Sequence, residues 1–261
     1  DASGRVGRTV LVEGGLHAAR AGTEGPRTRY TSRVGGRGNP RAFAFLARYG
    51  SEVARWNPCA RIGYRVNARR GGRGALADVR EALSRIRRVA GLRFVYRGPT
   101  RVVPGGRGDR RYQRGTDLVI AWARPAQSDH LSGPDVAGVG GASWTYWRQG
   151  AKTRAMIVRG YAVLNSNLPL AGGFGGGVHN GYHGTRGQLL MHEIGHAVGL
   201  NHPRQDDRWQ IMYPVMTDKR AVWGAGDRRG LRRVGARQGC LDAPYAGVRS
   251  TRATSLTTDR H

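Results

Sequence analysis

Residues 192–202 read HEIGHAVGLNH, and no other stretch so narrows what this chain can fold into. Three of the eight histidines stand there, at 192, 196 and 202, with Gly199 between the second and third. The surroundings predict a helix. Thr185 and Gln188 have the spacing of a capping box, and Leu190, Ile194 and Val198 recur as a core-facing stripe does. On such a helix His192 and His196 lie one turn apart on the same side, so two imidazoles can reach one metal ion. A helix that simply continued would not bring His202 to that ion. Glycine takes the left-handed conformation cheaply, so Gly199 is expected to end the helix and let the chain return. Three neutral imidazoles and an open fourth position describe a catalytic zinc site, whereas a structural zinc is closed by four protein ligands. Glu193 adjoins the first histidine and is placed to reach a water on the metal rather than the metal itself. Five residues fixed at this spacing arise by chance in about one chain of this length in ten thousand.

The pattern elsewhere says what such a helix would pack on. ARIGYRV (60–66) alternates as a half-buried strand does, LRFVYRG (92–98) is a second strand, and TDLVIAWA (116–123) is apolar enough to be central in a sheet. Between the first two, Leu76, Val79, Leu83 and Ile86 mark a helix, with Gly91 as its C-terminal cap. GVGGASWTYW (138–147) and AMIVRGYAVLN (155–165) read as two further strands joined by a turn. The glycine-rich AGGFGGGVHNGYHG (171–184) reads as a loop, so its His179 and His183 are expected to be exposed; His130 is assigned no firm role. A short helix over 226–235 would be capped by Asp227. The order suggests one α/β domain with a mixed sheet over residues 41–243. Residues 1–40, dominated by glycine and arginine, read as a flexible tail or linker, and 244–261 as a loose C-terminal tail.

HExxHxxGxxH followed ten residues later by Met212, in IMYP, resembles the metzincin zinc endopeptidases, and MYP resembles their matrixin branch. The resemblance is specific over about 185–235 and looser over 55–170. It implies a single catalytic domain with a mixed, mostly parallel twisted sheet, an active-site helix and a small C-terminal subdomain beginning near residue 200. It implies one catalytic zinc on His192, His196 and His202, Glu193 as general base, and Met212 in a methionine turn beneath the histidines. Tyr213, Pro214 and Val215 would then border the substrate pocket. An extended substrate would pair with an exposed sheet edge, for which GVGGASW (138–144), with Gly141 and Ala142 at its centre, is the candidate. Pro214-Val215-Met216 departs from the family's Pro-x-Tyr wall. No PRCGxPD-type inhibitory segment occurs, so no cysteine within this chain is expected to hold activity off. Ligands for the family's structural zinc and calcium are not recognisable.

Composition sets the compartment and the alternatives. Cys59 and Cys240 are too far apart for a zinc knuckle or a CxxC pair. They are either two buried thiols or one disulfide; the disulfide is the expectation, and it implies a secreted protein. No apolar run approaches the ~18–20 residues that span a bilayer. The chain starts at Asp1, so the absence of a signal peptide decides nothing. A formal charge of +27, from 44 basic and 17 acidic residues, would draw anionic polymers without sequence preference. The arginines are dispersed, however, which fits a solubilising composition better than one binding face. The expected protein is therefore a secreted, monomeric zinc endopeptidase acting on protein or peptide. The alternatives are a zinc hydrolase acting on cell-wall peptide cross-bridges and an arginine-rich polyanion-binding protein with a non-catalytic zinc site.

Overall fold

LVIAWA is apolar at every position because it lies inside the sheet, buried on both faces. The structure, a computed structural model, describes residues 10–17 (backbone), 36–106, 109, 112–133 and 135–242. The main sheet has six strands: β1 (Val10–His17), β2 (Arg61–Asn67), β3 (Arg93–Pro99), β4 (Leu118–Ala123), β5 (Val136–Gln149) and β6 (Lys152–Asn165). Their order is β1-β5-β6-β4-β2-β3. The pairs β3–β2, β2–β4 and β4–β6 are parallel. The hairpin partner β5 runs antiparallel to β6, and β1 antiparallel to β5. All five strands expected between residues 60 and 165 form, in one mixed, mostly parallel sheet.

Helix α1 (Ala75–Ala90) buries Val79, Leu83 and Ile86 and ends at Gly91, whose φ of 71° lets its N–H return to the Arg87 carbonyl. Helix α2 (Arg186–Ala197) crosses β5 and β6, and α1 packs on both α2 and α3 (Ala225–Val234). The core lies between the sheet and these helices, where Ile62, Ile120, Trp144, Leu190, Ile194 and Leu231 pack together. Fully burying a side chain of this size stabilises by about 1.5–3 kcal/mol. A smaller cluster of Leu131, Val139, Tyr161 and Val163 covers the other face. Among the described residues no helix is long and apolar enough to cross a membrane.

Three expectations change. Strand β1 comes from the stretch expected to be tail, and it covers the edge expected to be exposed at 138–144. An unpaired strand presents a row of backbone donors and acceptors, and β1 satisfies them from within the chain. His183 is buried rather than exposed: Val178–His179 and Tyr182–His183 form a tiny hairpin around Asn180-Gly181, both at positive φ. The Thr185–Gln188 capping box is absent, because Gln188 Nε2 instead donates to Thr217 Oγ1 at 3.0 Å. The tail expected over 244–261 lies outside the described residues.

The two cysteines form a disulfide, with Cα atoms 5.4 Å apart. Beside it, Asn57 Nδ2 donates to the Leu241 carbonyl at 3.0 Å, and buried Arg55 donates to the carbonyls of Gln238 and Gly239. The end of the described chain is thus fastened to the entry of β2.

Candidate metal centre

The helix that carries the histidines is held at both ends by groups far away in sequence. At its start, the Arg186 guanidinium meets Asp78 of α1 at 2.6 Å and donates to the carbonyls of Gly71 and Arg73. At its end, Trp56 Nε1 donates to the Ala197 carbonyl at 2.9 Å. Gly199 then takes φ of 109°, and a Cβ there would stand 2.8 Å from the Ala54 carbonyl oxygen. Conformation and close packing both select glycine at this position. The chain turns back, Leu200–Asn201 pairs with Ala44–Phe45, and Asn201 Oδ1 accepts the His202 N–H at 2.8 Å. His202 is thereby brought beside the helix.

The three Nε2 atoms converge. His192 stands 3.0 Å from His196 and 3.0 Å from His202, and His196 stands 3.2 Å from His202. His192 Nδ1 donates to the Ile211 carbonyl at 2.6 Å and His196 Nδ1 to the Leu200 carbonyl at 3.0 Å. A carbonyl only accepts, so both protons sit on Nδ1 and both Nε2 lone pairs face the shared point. Donors on one tetrahedral zinc, with bonds of ~2.0–2.1 Å, would be ~3.3 Å apart. The observed spacing is close to that, so the three histidines can hold a metal ion. Burial, followed by mutual repulsion with His196 and His202, holds His192 well below the ordinary histidine range. Burial and the neighbouring His202 bring His196 down to about 3. Both are neutral at ordinary pH, as metal ligands must be. His202 alone of the three is partly exposed, so the centre is reached from its side.

Glu193 is fully buried, with its side chain against β5: its Cγ and Oε1 lie 3.0 Å from where a Cβ on Gly138 would stand. A Cβ on Gly140 would run into the Glu193 backbone carbonyl. Glycines at 138 and 140 therefore let the helix backbone approach the strand closely. Gly141 and Ala142 continue β5 and pair with Glu13 and Val12 of β1. Met212 is buried beneath the helix, its Sδ against Gly195 between the two helical histidines. Tyr213, Pro214 and Val215 follow it as a half-buried segment.

The residue the sequence did not reveal is the role of Asp227. Expected only as a helix cap, its buried carboxylate accepts the N–H of Gly224 at 3.0 Å, of Ile211 at 2.5 Å and of Met212 at 3.3 Å. Burial outweighs these donors and pushes its pKa up to about 7. The Ile211 carbonyl that accepts from His192 shares its peptide group with the Met212 N–H, so Asp227 supports this candidate metal ligand through one intervening peptide group. Beside it, Asp207 accepts from the N–H of Asn39 and of Trp209 and from Gln210 Nε2. His130 stacks on Tyr161 at 4.5 Å and takes no part in the cluster. A cleft of about 450 Å³ between Trp56, Tyr112, Asp117 and Arg159 shares no residue with the histidines.

No protein-family model matches the chain, and no curated protein matches it.

Proposed function

We propose that this protein is a zinc-dependent endopeptidase of the metzincin type, close to the matrixin branch. The observation that carries the reading is the convergence of three imidazole Nε2 atoms within 3.0–3.2 Å of one another, with Glu193 on the adjoining helical position. His192, His196 and His202 would hold the ion. Bound zinc supplies Lewis acidity, which polarises a carbonyl and brings a water's pKa to about 7. Glu193 takes the proton of the attacking water and passes it to the amine nitrogen as the peptide C–N bond breaks. The water oxygen stays on the carbonyl carbon, and both protons end on the products. In this reading an extended substrate pairs along β5 in the place that β1 occupies, beside Gly138, Gly141 and Ala142, and the Tyr213–Val215 segment faces its side chains. The disulfide supports an extracellular setting.

The charge of +27 favours a second substrate class, peptide cross-bridges in an anionic wall polymer, which the same chemistry would hydrolyse. Zymograms on casein and on purified wall material separate the two. The mechanism itself is tested by Glu193→Gln. That variant is expected to keep its zinc and lose about 10²–10⁴-fold in kcat. Wild-type cleavage by the variant would remove Glu193 from the mechanism.

A further inference from the structure

The edge of β5 is not free. Strand β1 pairs along it from Val10 opposite Trp144 to His17 opposite Val136, with a shift in register between Leu16 and His17. The covered stretch includes Gly138 and Gly140, against which Glu193 packs. Beyond β5, β1 is the outermost strand of this side of the sheet, and it too runs near α2. The N–H and C=O groups that β1 engages are those an extended polypeptide would use to bind beside Glu193. A strand edge accepts one partner at a time.

We propose that Val10–His17 is an intramolecular occupant of the substrate edge, a competitor built into the chain that a substrate must displace. The proposal rests on the peptidase reading of the site. Two features suit a displaceable occupant. Gly14 and Gly15 lie side by side in β1, Gly14 opposite Gly140, and adjacent glycines weaken a strand. The 18 residues from 18 to 35 then separate β1 from the rest of the described chain. Being part of the same chain, β1 competes for the edge intramolecularly, at an effective concentration that dilution does not lower. No cysteine is needed for this, and none lies in the segment.

The test uses the full chain with Leu11→Pro and Val12→Pro together. Successive N–H groups of a strand point to opposite sides, so one of the two donates toward β5 and proline removes it. Hydrogen exchange over residues 136–144 is expected to speed up by about tenfold, the effect of one or two lost ladder bonds. KM for an extended peptide should fall by about tenfold with kcat unchanged, as when a competitive inhibitor is taken away. A synthetic peptide VLVEGGLH added to this variant should restore protection over 136–144 and raise KM again. A second pair, Gly14→Pro with Gly15→Pro, breaks the other half of the strand and should give the same readouts. Unchanged exchange and unchanged KM in both variants would overturn the proposal. Faster exchange, reversed by the peptide, in a protein that cleaves nothing in either form would uphold the occupancy and overturn the peptidase reading instead.

Discussion

His192 and His196 are kept neutral by burial, the second down to about 3, while in the unfolded chain each takes up a proton near 6.5. A depressed folded pKa contributes stability that is full above the unfolded value and lost as pH falls. Metal-free protein should therefore lose stability as pH drops from 6.5 toward 3, by roughly 4 kcal/mol for His196 alone. Thermal melts of metal-free wild type and His196→Gln between pH 7.5 and 4.5 check this; identical slopes would contradict it. Asp227 acts at the same scale. Asp227→Ala leaves the buried N–H groups of Ile211, Met212 and Gly224 unmet and should destabilise by about 2–4 kcal/mol. It should also weaken metal binding by about 10–100-fold, through the Ile211 carbonyl that orients His192. Zinc titration of the folded variant measures the second effect apart from the first. The histidines were legible in the sequence because helical spacing alone brings His192 to His196 and a glycine explains His202. Asp227 was legible only as a cap, since its partners at 211 and 212 reach it through tertiary folding.

The elements divide along the same line. Strands and helices with clean periodicity formed where they were expected, from LVIAWA to the Val79–Ile86 stripe, because burial on a regular element imposes that period. β1 was not legible: two glycines interrupt its pattern, and the edge that stabilises it lies more than a hundred residues away. The Val178–His183 hairpin was signalled by Asn180-Gly181 yet hidden by the surrounding glycines. The close approach of α2 to β5 gives a test at this scale. Gly140→Ala forces a Cβ into the Glu193 carbonyl and should destabilise by about 1–3 kcal/mol. Gly175→Ala, which meets nothing within 4 Å, should change stability by less than about 0.5 kcal/mol. Denaturant midpoints of the two variants compare them directly; equal effects would mean that the strand and helix have room to part.

At the scale of the whole molecule, the disulfide and the sheet fix where the site sits. Cys59 and Cys240 enclose the sheet from β2 onward, all three helices and the histidine cluster in one covalent loop. Spacing excluded a metal knuckle, but only the fold shows the two Cα atoms 5.4 Å apart. In the chain-entropy model, closing a loop with a sequence separation of 181 contributes about 5 kcal/mol, an upper figure. Replacing both cysteines by serine should lower the unfolding free energy by up to that amount while leaving the histidine geometry, and hence zinc binding, in place. The charge of +27 is a property of this scale as well, and it would make association with any polyanion sensitive to salt.

The most direct test of the proposed catalytic metal centre is zinc content and casein cleavage measured on one preparation, before and after phenanthroline. One zinc per chain, with cleavage lost on chelation and restored by added zinc, is the expected result. A chain that binds no metal, or one that cleaves equally well without it, would contradict the assignment of His192, His196 and His202.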